Sequence, residues 1–142
     1  MKKVLLTAAI AFGTLFASAQ DIMVVSTYDG DLEGSEAITA NIGVGYQVMD
    51  GITVGLVMAK DALGEDSYEL FGRYDLGAYA ENAYASIQMP TEDATDNMKI
   101  GVGYTFTVWN GLAIEPNYTM PTSEDDNGER EGSFNIGVAY RF

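Results

Sequence analysis

Residues 99–120 read KIGVGYTFTVWNGLAIEPNYTM. Ile100, Val102, Tyr104, Phe106 and Val108 are apolar at every second position, while Lys99, Gly101, Gly103 and Thr105 fill the gaps. The alternation breaks at Trp109-Asn110-Gly111 and resumes with Leu112, Ile114, Tyr118 and Met120 against Glu115 and Asn117. A period of two belongs to a strand with one apolar face, and Asn-Gly between two such runs is a hairpin turn signal. The segment therefore predicts two antiparallel strands with an aliphatic and aromatic face on one side and a face of Gly, Thr, Asn and charge on the other.

The same pattern extends along the chain as eight strands: Asp21–Tyr28, Ile38–Val48, Ile52–Lys60, Ser67–Asp75, Tyr79–Met89, Met98–Val108, Leu112–Met120 and Gly132–Phe142. No stretch after the N-terminal segment carries a helical apolar stripe. Connections alternate strictly between tight ("MDG", a break around "LGA", "WNG") and long, polar and acidic ("GDLEGSEA", "DALGED", "PTEDATDN", "PTSEDDNGERE"). Short turns at one end, longer loops at the other and an even strand count are the organisation of a membrane barrel. Even-numbered positions hold the apolar set, from Ile22 and Val24 through Val54, Leu56 and Leu70 to Ile136, Val138, Tyr140 and Phe142. Odd positions hold small and polar residues, which suit a narrow lumen. The fifth strand departs from this parity, which predicts a flip at the turn before it, and Pro116 predicts a bulge in the seventh.

The N-terminus reads MKKVLLTAAIAFGTLFASAQ, with Lys2 and Lys3, an apolar run and Ala17-Ser18-Ala19. This is the form of a cleaved secretory signal peptide over 1–19. The apolar run is about 13 residues long, short of the roughly 20 that a spanning helix needs. Removing Lys2 and Lys3 leaves 5 basic residues against 21 acidic ones over 20–142, a net charge of −16. Such a surface excludes nucleic acid as a partner, since phosphate binding needs a basic footprint. Cys and His are both absent, so no disulfide staples the domain, and neither the commonest general base nor the commonest metal ligand is present.

Aromatic residues fall at the strand ends, with Tyr46, Tyr74, Tyr104, Tyr140 and Phe142 towards the short turns and Tyr28, Tyr68, Tyr118 and Phe134 towards the long loops. Two such girdles are what amphipathic rings form at two membrane interfaces. With the signal peptide, the eight alternating segments and the closing "VAYRF", the chain resembles the small outer-membrane β-barrels of Gram-negative bacteria, the OmpA transmembrane domain and OmpX type. The expected fold is all-β, an eight-stranded antiparallel up-and-down transmembrane β-barrel over 20–142. The resemblance implies residence in the cell outer membrane among lipid and lipopolysaccharide. It also implies that the terminal aromatic strand, with Tyr140 and Phe142, is read by the outer-membrane assembly machinery. A monomer is expected.

Some barrels of this size are lipid-modifying enzymes, and their resemblance implies a histidine-dependent site that this chain lacks; no enzymatic activity and no cofactor are expected. Inside the lumen, Glu69, Arg73, Lys99, Glu115 and Arg141 share inward parity. Unpaired charges in a narrow lumen are costly, so these predict a polar network in which Arg73 pairs across the interior with Glu115 and Glu69 as a plug. The long loops hold 15 of the 21 acids, and divalent cations are candidate partners there. Asp29, Asp31 and Glu33 begin like a calcium-binding loop but have Ala40 where its last carboxylate belongs; Asp125 and Asp126 form a second acidic run. The expected role is structural or surface-interactive. The alternatives are a small porin-like channel for hydrophilic solutes and a soluble, exported, lipocalin-like ligand-binding barrel.

Overall fold

The computed structural model describes residues 22–28, 30–60, 64–91 and 97–142, with the backbone alone at Lys60. The predicted signal peptide and Asp29 lie outside the described residues. The strands are β1 (Ile22–Thr27), β2 (Ile42–Met49), β3 (Ile52–Lys60), β4 (Asp66–Asp75), β5 (Ala83–Pro90), β6 in two segments (Lys99–Tyr104 and Phe106–Trp109), β7 (Leu112–Pro121) and β8 (Ser133–Arg141). Each pairs antiparallel with its neighbours in sequence. β1 pairs with β8 from Met23↔Arg141 to Thr27↔Gly137, which closes the sheet into an eight-stranded up-and-down barrel. Closure leaves no free edge.

Following the paired residues once round the barrel returns to β1 displaced by about ten residues. With eight strands about 4.7 Å apart, that stagger sets a tilt of about 40° and a radius of about 8 Å. Side chains from opposite walls meet across so narrow a space.

The tight turns owe their shape to local chemistry. In Asp50-Gly51 and Asn110-Gly111 only the glycine has positive φ, 76° and 87°. The register shifts by one residue beside each, between Gln47 and Met49 and between Thr107 and Trp109. These are glycine-bulge hairpins, in which the extra residue tightens the twist.

The third turn is longer than the sequence suggests. Amides of Tyr79 and Ala80 both donate to the Leu76 carbonyl, and Asn82 adopts φ 62°, so Tyr79–Asn82 belong to the turn and β5 starts at Ala83. That geometry turns β5 over: Tyr84, Ser86 and Gln88 point inward, and Ala85 and Ile87 outward, as the parity flip predicts. The other boundary difference is at Ile38, predicted as strand. Glu36–Thr39 is instead one helical turn, α1, because Thr39 turns its amide and its hydroxyl back onto the Ser35 carbonyl at 3.0 Å.

Pro116 makes no bulge; β7 keeps one register against β8 through Pro116↔Ile136. Its effect is on the other side. The Thr122 amide donates to the Met98 carbonyl, so every second residue of β7 back from Thr122 donates to β6, and position 116 would donate to Tyr104. Proline has no N–H to give, and β6 is interrupted at Thr105 for that reason.

The barrel is inverted relative to a soluble one. Among the described residues the buried polar ones are Thr53, Glu69, Arg73 and Glu115, all inside beside Met23, Val57, Tyr84, Ala113 and Ala139, whereas Leu56, Leu70, Ile100, Val102 (57% exposed), Ile114 and Ile136 stand on the outer surface. Ile22 and Met58 have the same parity as that outer set but are buried.

Candidate functional site

The interior is organised around Arg73 on β4 and Glu115 on β7, each contributed by an inward position of a strand on opposite walls. Arg73 Nη2 lies 2.7 Å from Glu115 Oε1, and both side chains are 5% exposed. The Thr105 hydroxyl, at the gap in β6, donates to the same Glu115 oxygen at 2.9 Å. Arg73 Nη2 also reaches Thr105 Oγ1, and Nη1 reaches Met23 Sδ, each at 3.5 Å. The guanidinium carbon sits 3.4 Å from the centre of the Tyr84 ring, a cation–π stack in a desolvated place. Arg73 Nε is buried without a hydrogen-bond acceptor. The flat cation is thus clamped by a carboxylate at its edge and a ring on its face.

Tyr84 fits there because Gly103 faces it. A Cβ at position 103 would fall 2.3 Å from Tyr84 Cζ, so the ring occupies space that any other residue would fill. Met23, Thr53, Ala113 and Ala139, all buried, pack around the clamp on the short-turn halves of β1, β3, β7 and β8.

Above the clamp the interior opens. Two cavities of about 90 Å³ and about 170 Å³ share Thr27, Val57, Gln88, Asn117 and Thr119 in their walls, and so form one vestibule running towards the long loops. Arg73, Glu115, Tyr84 and Phe71 make its floor. Asn41, Glu69, Lys99 and Asn135 stand around the upper part.

The five charged residues expected in the lumen fall, with Asp75, into three pairs at different heights. Glu69 does not reach Arg73; its carboxylate lies 3.6 Å from Lys99 Nζ. Glu69 and Arg73 are four residues apart on one strand, about 13 Å along it, while Glu115 is level with Arg73 across the barrel. Arg141 lies 3.9 Å from Asp75 in a half-exposed pair near the short turns. Sequence reasoning assigned no role to Tyr84, Thr105, Met23 or Phe71. The flip in β5 was the one signal for Tyr84, since it moves that ring to the inner face.

Tyr140 and Phe142 lie on the outer face with ring centres 4.9 Å apart, edge to face, and the Phe142 amide donates to the Ile22 carbonyl. Tyr79 (86% exposed) and Trp109 (75%) project from the short turns.

At the long-loop end, Asp31, Glu33 and Asp126 are exposed, and among the described residues no three acidic side chains converge as metal ligands. Asp125 has a different role. Its Oδ1 accepts the amides of Asn127 and Glu129, both at 2.9 Å, and these bonds, Glu129's first, hold its carboxyl below the usual range. The carboxylate organises the loop's own turn.

No family model, curated protein or solved structure matches the chain.

Proposed function

We propose that this protein is an outer-membrane β-barrel with a structural or surface-interaction role, its lumen closed by the Arg73–Glu115–Tyr84 clamp and its acidic loops turned outward. The observation that carries this reading is the inverted polarity of the barrel: a buried ion pair inside, and aliphatic and aromatic side chains exposed outside. In water that arrangement would expose an extensive apolar surface while burying charge, both unfavourable. Against lipid the outer face is solvated by matching chemistry. Phe134 on β8 and Phe142 just past its end are about 20 Å apart along the barrel axis at the strand rise and tilt given above, comparable to an apolar band of about 25 Å. The lipocalin-like reading is disfavoured because its ligand space would have to be apolar, and this one holds two carboxylates and two cations.

The channel reading draws support from the vestibule, whose upper part is lined by Asn41, Glu69, Gln88, Lys99, Asn117 and Asn135. The clamp opposes it. Planar-bilayer recording of the full chain separates them: a closed scaffold gives no stable current, and Arg73→Ala introduces leak. Steady openings in the native protein would make it a channel. Mobility on a gel before and after heating tests the membrane reading itself, since a lipid-stable barrel migrates faster unheated.

A further inference from the structure

We infer that the vestibule is a binding site for a small, uncharged, hydroxyl-rich solute, of the size of one monosaccharide ring, entering from the long-loop end. The inference rests on the barrel interior and not on the membrane reading.

Four features of the cup select this chemistry. First, apart from the apolar β3 wall of Val57, Met58 and Ala59, its uncharged lining is hydrogen-bonding: Gln88, Asn117, Thr119 and Asn135 on β5, β7 and β8, the hydroxyl of Thr27 on β1, and Asn41 just before β2. Such a set of amides and hydroxyls offers donors and acceptors to alternating hydroxyl groups. Second, the capacity is not used up internally. Asn135 Nδ2 approaches Asn117 Oδ1 and Thr119 Oγ1, and Asn117 Nδ2 donates to the Glu115 carbonyl. Among the described residues, however, the side-chain amides of Asn41 and Gln88 have no hydrogen-bonding partner.

Third, charge cancels by level. Lys99 faces Glu69 above and Arg73 faces Glu115 below, so each level is neutral and a charged solute finds no uncompensated counter-charge. It would shed its hydration without return, a cost that a neutral ligand does not carry. Fourth, Phe71, half-buried at the floor, presents a ring, and the apolar face of a pyranose packs on such a surface. The cavity volumes of about 170 Å³ and about 90 Å³ admit one such ring and not a chain of them. With the floor sealed, the solute leaves by the mouth through which it entered, so the site retains and does not transmit.

The test is a titration of the full-length protein in detergent micelles, following the side-chain amide resonances of Asn41, Gln88, Asn117 and Asn135. The probe is methyl glucoside, with sodium glutamate and lysine hydrochloride as charged comparators at equal concentration. Saturable shifts with the glucoside at millimolar levels are expected, absent with both comparators. Gln88→Leu should weaken the response roughly tenfold, the loss of a neutral hydrogen bond or two, and Asp125→Ala, outside the cup, should leave it unchanged. If Gln88→Leu does not fold, Asn41→Ala at the rim serves the same purpose. Shifts that stay linear with concentration, equal shifts with the charged solutes, or an undiminished response in the folded variant would overturn the assignment.

Discussion

Replacing Glu115 with alanine removes the anion from a guanidinium that is 5% exposed. What remains for Arg73 is weak: Thr105 and Met23 at 3.5 Å each and the Tyr84 ring face. Breaking a buried pair by deleting one partner costs about 3–5 kcal/mol, because the survivor stays charged and unpaired. The Tyr84 ring and the two 3.5 Å contacts stay with the cation, which places the expected loss near the lower figure, about 3 kcal/mol. Arg73→Met should cost a similar amount, leaving Glu115 with the Thr105 hydroxyl at 2.9 Å. The double variant Arg73→Met/Glu115→Ala buries no charge and should cost no more than either single variant, a coupling of about 3 kcal/mol or more. Urea unfolding in lipid vesicles, with folded fraction read from unheated gel mobility, supplies all four corners of the cycle. Single costs below about 1 kcal/mol that simply add in the double variant would refute the reasoning, for the pair would then be solvated and no clamp.

Gly103→Ala should destabilise by about 1–3 kcal/mol through overpacking, since its Cβ meets Tyr84 Cζ at 2.3 Å. That cost should vanish in a Tyr84→Ala background, and its persistence in unfolding midpoints would mean that something other than the ring sets the need for glycine. Pro116→Ala should gain a ladder bond to the Tyr104 carbonyl, seen as slow hydrogen exchange of the new amide at position 116; fast exchange there would contradict the assigned hydrogen-bond alternation. For Asp125, the folded pKa is depressed, so the turn it holds is intact at neutral pH and loosens as pH falls through that lowered value, below the ordinary 3.8. NMR titration should show the Asn127 and Glu129 amides losing their bonds in that window, and a midpoint at or above 3.8 would remove the effect.

Much of the barrel is legible in the sequence because its determinants are local. Alternation from Ile100 to Val108 needs only neighbouring residues to declare a strand with two unlike faces, and Asp50-Gly51 and Asn110-Gly111 declare their own turns. The Arg73 and Glu115 parities follow from the same count. Boundaries were less legible where backbone bonding competes with pattern: Ile38 and Tyr79 alternate like strand residues, yet Ser35 and Leu76 capture the amides around them. Pro116 announces a disturbance, but its site, at Tyr104 across the ladder, depends on which side each β7 amide faces.

The sequence by itself determined eight strands, their order and the two chemistries of their faces, since strand periodicity and turn residues are properties of a few adjacent positions. Only the closed structure decided partners. Residues at equal height on opposite walls are remote in sequence, and their meeting depends on the stagger accumulated around all eight ladders. That stagger brings Arg73 level with Glu115 and leaves Glu69 to Lys99, and the turn from Leu76 to Asn82 rotates Tyr84 inward over the guanidinium. No local pattern carries a sum over eight registers, which is why the clamp and the cup above it are properties of the fold.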